Sequence, residues 1–110
     1  MNNGKNGCAE AVGKMGSYYS PFLAEQCNNG VVGVPSMVAN ADSAGLLEDF
    51  SVSELQKGDV IVYGNDDHVV IYDGNGGYYG NSSSKNVVLH GRDYNSLNMT
   101  PTKIIKASKG

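Results

Sequence analysis

Two hydrophobic periods divide the chain. Over Cys8-Ala9-Glu10-Ala11-Val12-Gly13-Lys14-Met15 the apolar residues Cys8, Ala11, Val12 and Met15 recur at helical spacing behind an Asn-Gly turn, which predicts a helix with Cys8 in its first turn. Tyr18-Tyr19-Ser20-Pro21 breaks that helix, and a short helical turn follows from Pro21 to Gln26 before Asn28-Asn29-Gly30 stops it. A third helical piece is expected from Pro35 to about Leu47, with proline at an early position and Gly45 weakening the end. From Asp59 onward the period shortens. Asp59-Val60-Ile61-Val62-Tyr63, His68-Val69-Val70-Ile71-Tyr72 and Asn86-Val87-Val88-Leu89-His90 are β-branched runs between Gly/Asn turns, and read as strands. Asp73 to Gly77 is a hairpin signal joining the His68 strand to Tyr78-Tyr79-Gly80-Asn81, and Lys103 to Ala107 supplies a last strand. The short links imply antiparallel neighbours. Helices followed by a strand meander give a segregated α+β class, with N-terminal helices packed on an antiparallel β-sheet.

Size and composition narrow the picture further. The 110 residues fit one domain spanning 1–110, and a domain of this size buries roughly two-thirds of its unfolded surface. A formal net charge of -3 offers no basic surface, so nucleic acid and anionic membranes are poor partners and a monomer acting on a neutral or mixed-charge substrate is expected. No apolar run approaches the roughly 20 residues that span a bilayer, and no signal peptide pattern precedes Cys8. The seven residues ahead of Cys8 suggest a module excised from a longer protein. Cys8 and Cys27 allow one disulfide without requiring it, and their spacing matches neither a zinc site nor a redox pair.

Cysteine attacks carbonyls as the thiolate, and a helix's first turn favours negative charge through its unpaired N–H groups and dipole. The same N–H groups could hold the oxyanion of a tetrahedral intermediate. Alone, Cys8 would be a small buried helix residue and His68 a surface or turn histidine. Together they point to a thiol–imidazole dyad, because His68 opens a strand at the edge of a sheet on which the Cys8 helix can pack. A neutral imidazole would take the thiol proton and return it to the leaving amine, held in the right tautomer by a third group. Asn81, Asp66, Asp67 and His90 are the candidates for that third role. Asn81 is favoured, because the hairpin returns Tyr79 to Asn81 beside the start of the His68 strand. His90 reads as a surface residue. Cys27, near the end of a helical turn, is the weaker nucleophile.

Leu55-Gln56-Lys57-Gly58-Asp59-Val60-Ile61-Val62-Tyr63, followed by His68-Val69-Val70-Ile71-Tyr72-Asp73-Gly74-Asn75-Gly76, resembles the NlpC-type cell-wall peptidases, and the related CHAP amidases are similar. The resemblance runs from the Cys8 helix to about Leu89. It implies a papain-like core, with Cys8 as nucleophile, His68 as base, and the Tyr78 to Ser83 stretch carrying the third polar residue. The chain departs from the NlpC pattern in reading Ala9-Glu10 after Cys8, where that pattern has Ser-Gly, and in placing Gly80 where it often has histidine. The opening Cys8-Ala9-Glu10-Ala11-Val12 is nearer the CHAP style.

The activity implied is cleavage of amide bonds in peptidoglycan stem peptides through a thioester, with no metal or organic cofactor. The setting would be secreted, cell-wall associated or a phage particle. Tyr63, Tyr79, Asp66 and Asp67 are expected to line the substrate groove, with Met37, Tyr72 and Tyr78 as further walls. The alternatives are a CHAP-like amidase cutting the sugar-linked N-acetylmuramoyl-L-alanine bond, an acyltransferase, and a non-catalytic cell-wall-binding module.

Overall fold

The computed structural model describes residues 4–31, 33–82, 87–97 and 99–108, the side chains of 4–8, 81, 82, 87–89 and 96 excepted. Three helices come first: α1 (Gly4–Gly16), α2 (Pro21–Asn28) and α3 (Val34–Ser43). Six strands follow: β1 (Leu47–Asp49), β2 (Val60–Tyr63), β3 (His68–Tyr72), β4 (Tyr78–Ser82), β5 (Val87–Gly91) and β6 (Pro101–Ile105), with 3-10 turns at Val52–Glu54 and Tyr94–Leu97. All pairings are antiparallel, in the order β1-β6-β2-β3-β4-β5. The α+β class read from the sequence is the class observed, with the helices ahead of the sheet.

Local chemistry accounts for the element limits. Ser20 caps α2 by accepting the Leu23 amide at 3.2 Å, and Pro21 opens the helix where its missing N–H costs nothing. The third helix ends at Ser43, four residues before the expected limit. Gly45 at φ +76° turns the chain there, and Leu47, expected to be helical, starts β1 against Ile105 of β6. Neither β1 nor the insertion of β6 between β1 and β2 is announced by a hairpin signal, because both pairings close long loops.

Strands β2 and β3 read as continuous apolar runs because both faces of the sheet are covered. On one face Val60, Val62, Val69, Ile71 and Ile105 pack in a layer with Ala9 and Val12 of α1, Leu23 of α2 and Met37 of α3. On the other, Ile61, Tyr63 and Val70 join Tyr94, with Phe50, Leu55, Tyr72, Tyr78 and Leu97 at the margins. Fully burying one such aliphatic side chain contributes about 1.5–3 kcal/mol.

A buried ion pair ties the start of β2 to the end of β6. Lys106 donates its Nζ to Asp59 and to the Glu54 carbonyl, while Asp59 also accepts the Gln56 amide at 3.0 Å and the Ser108 amide at 3.2 Å. Asp59 is 0 % exposed and Lys106 2 %, so each charge depends on the other and on these hydrogen bonds. The aspartate of the Gly58-Asp59 motif is thus a structural anchor.

Candidate active site

Helix α1 packs over β3 and β4. Its C-terminal end lies at the Tyr72 end of β3, where Met15 shares a pocket with Ile71 and the Tyr19 hydroxyl donates to the Gly58 carbonyl at 2.6 Å. Upstream on the same helix, Ala9 and Val12 belong to the layer that holds Val69. The N-terminal half of α1, which carries Cys8, continues over this face of the sheet.

The helix begins at Gly4, so Cys8 is its fifth residue and lies in the second turn. Asn6-Gly7, expected as a turn ahead of the helix, belongs to its first turn instead. The Cys8 amide falls past the unpaired N–H groups, and the dipole's influence fades within the first turn. The helix end is therefore not placed to lower the Cys8 thiol pKa as expected from a first-turn position. The side chains of Cys8 and Asn81 lie outside the described residues.

His68 is the first residue of β3, paired with Tyr63 of β2, its ring 5.9 Å from the Tyr63 ring at a 46° tilt. Burial pushes its pKa below the ordinary 6.5, so the imidazole is neutral at pH 7, the state a general base needs. Strand alternation puts His68 on the side of Val70 and Tyr63, while Val69 and Ile71 face the helical layer. By this alternation the imidazole starts from the sheet face opposite the one that α1 covers, so a meeting with Cys8 requires a path around the end of β3.

The β3–β4 register pairs Ile71 with Tyr79 and Tyr72 with Tyr78. Continued along both strands, it sets Ser82 opposite His68 and Asn81 opposite Val69, so Asn81 is one residue away from direct opposition. The glycine at 80 has a steric reason: a Cβ there would stand 3.0 Å from Cγ1 of Val70. A histidine at 80 would have to displace Val70.

The remaining expected groove residues separate. Tyr63 is fully buried with its hydroxyl donated to the Tyr94 carbonyl at 2.7 Å, so it is a core residue and not a groove wall; Met37, also fully buried, is core too. Asp66, at φ +58°, pairs with Lys103 of β6 at 3.3 Å, and Asp67 accepts the Asn65 amide at 3.2 Å within the β2–β3 turn. Tyr79 is 37 % exposed and lines the pocket beside Met15 and Ile71. Cys27 is a free, half-buried thiol at the next-to-last position of α2.

Sequence reading missed one cluster. His90 of β5 lies opposite Tyr79, stacks on its ring at 4.4 Å and 17°, and bonds the Asp73 carboxylate at 2.7 Å. Asp73 also accepts the Asn75 amide at 2.7 Å and the Gly77 amide at 2.9 Å, and the His90 bond foremost holds its pKa below the ordinary carboxylate value. The signal was register: once β4 and β5 pair, His90 falls beside Tyr79. Compared with protein-family models, curated proteins and solved structures, the chain matches none.

Proposed function

We propose that this chain is a cysteine hydrolase that cleaves amide bonds in peptidoglycan stem peptides, built on a papain-like core. The observation that carries the reading is His68: a half-buried imidazole, kept neutral by desolvation, at the end of the strand over which the Cys8 helix packs. The resemblance of the Gly58-Asp59 and His68 strands to NlpC-type peptidases supports the substrate class.

In this mechanism His68 accepts the Cys8 proton as Sγ adds to the scissile carbonyl carbon. The imidazolium then protonates the departing amine nitrogen, the C–N bond breaks, and a thioester remains. Water, deprotonated by the same imidazole, adds to the thioester and releases the acid and the thiol. Because Cys8 stands in the second turn, the imidazole and not the helix dipole sets its reactivity. Asn81 is the orienting residue expected from the sequence, but the continued register sets it opposite Val69 on the other face, so the position opposite His68, held by Ser82, is the alternative for that role.

The test is incubation of the protein with purified peptidoglycan, with soluble fragments identified by mass. Wild type is expected to release peptide fragments, and Cys8→Ala and His68→Ala to lower release at least a thousandfold with unfolding midpoints within a few degrees of wild type. No release by wild type overturns the activity. Release that survives Cys8→Ala but is lost in Cys27→Ala reassigns the nucleophile.

A further inference from the structure

The Tyr72 end of β3 carries a second feature that the hydrolytic scheme leaves unused. A pocket of about 590 Å³ opens between α1 and the sheet, lined by Met15, Tyr18, Tyr19, Lys57, Ile71 and Tyr79 among others. Three of its tyrosines are unusually open for large side chains: Tyr18 is 93 %, Tyr19 46 % and Tyr79 37 % exposed. Exposed rings around a common hollow are apolar area kept out of the core, which marks a binding surface.

Two of these rings are held in place. The Tyr19 hydroxyl is fixed by the Gly58 carbonyl at 2.6 Å, and its ring lies so close to Gly58, at φ +92°, that a Cβ there would stand 2.9 Å from Cε1. Tyr79 is backed by His90, stacked at 4.4 Å, which Asp73 anchors at 2.7 Å. The His90–Asp73 pair thus has a use: it braces an aromatic wall before any ligand arrives, which lowers the ordering cost of binding.

The surroundings select the ligand. Sharing Tyr72 and Lys57 with this pocket is a second, polar one of about 500 Å³, lined also by Gln56, Asp73 and Asn75. Lys57 is the one charged residue lining the aromatic pocket among the described residues, and its ammonium disfavours the cationic ligands that aromatic cages take. An acyl chain would fill the apolar hollow and leave the polar one unused. A pyranose has an apolar C–H face to lie on a tyrosine ring and hydroxyls around its rim to meet amide, carboxylate and ammonium groups.

We infer that these joined pockets bind a glycan, namely the β-1,4-linked N-acetylhexosamine strand of peptidoglycan, with Tyr79 and Tyr18 as stacking walls and Gln56, Lys57 and Asn75 as hydroxyl and acetamide partners. The choice of this sugar rests on the peptidoglycan reading. The location fits: Tyr79 lies opposite Ile71, three residues along β3 from His68, about 10 Å at strand rise. A sugar there stands about three extended residues of a stem peptide from a scissile amide at His68.

The test is titration of the whole protein with tri-N-acetylchitotriose, followed by backbone amide shifts. Expected are perturbations confined to Tyr18, Tyr19, Lys57, Asn75 and Tyr79, unchanged in Cys8→Ala, with affinity at least tenfold weaker in Tyr79→Ala and retained in Tyr79→Phe. Asp73→Asn, which loosens His90 without removing the stacking ring, should weaken binding by a smaller factor. No perturbation at millimolar trisaccharide, perturbation elsewhere, or perturbation at these residues by a free stem peptide but not the trisaccharide overturns the site. Sugar binding without peptidoglycan cleavage would refute the hydrolase and leave the glycan site standing; cleavage without sugar binding would do the reverse.

Discussion

The two ends of β3 are built in opposite ways. At the Tyr72 end the backbone is clipped to its neighbours: the Tyr72 amide donates to the Asp59 carbonyl at 2.8 Å, the Gly58 amide to the Tyr72 carbonyl at 3.0 Å, and the Asp59 carboxylate is locked by Lys106. At the His68 end the chain enters from a tight turn, with Gly64 and Asp66 both at positive φ and the Asp66–Lys103 pair partly exposed. The histidines follow suit. His68 is made neutral by burial, whereas His90, beyond the clamped end, leans on a carboxylate. One residue type thus sits desolvated at one end and hydrogen-bonded to a carboxylate at the other.

Breaking the clamp should have the largest effect on stability. Asp59→Leu or Lys106→Met alone leaves an unpaired buried charge and is expected to cost about 3–5 kcal/mol in urea unfolding, whereas the double replacement should recover most of it. Equal losses in the single and double variants would mean that the pair is not the anchor of that end.

Crowding the middle of the hairpin comes next. Gly80→Ala presses a methyl group on Val70 and should cost about 1–3 kcal/mol, with Val70→Ala in the same chain relieving part of it. Strict additivity of the two changes would show that they do not touch, and would remove the steric reason for glycine at 80.

The smallest effect separates the histidines by pH. His68 has its pKa lowered, so the unfolded chain binds its proton first as pH falls; stability is full above 6.5 and declines from there down to the folded pKa. Asp73 is also lowered, so its contribution is complete above 3.8 and is lost as pH falls through its folded value. Thermal unfolding between pH 7 and 3 should therefore show two declines, the first absent in His68→Gln and the second reduced in Asp73→Asn. With His90 half exposed, the second is expected to stay below about 1 kcal/mol. A first decline that persists in His68→Gln would locate the buried base elsewhere.

The sequence by itself determined what depends on neighbours along the chain. Helical spacing and breakers placed three helices, β-branched runs between turns placed β2, β3 and β5, and the Asp73 to Gly77 signal gave the β3–β4 hairpin, since these elements rest on local dihedral preference and on burial of one periodic face. His68 was legible as a base candidate because it opens such a run. What required the tertiary structure was every feature closed over a long loop: β6 lying between β1 and β2, Asp59 buried against Lys106, Tyr63 withdrawn from the groove into the core, and His90 delivered to Asp73 and Tyr79. Such contacts depend on register and strand order. A one-residue shift changes which face a side chain takes, and no local propensity encodes it.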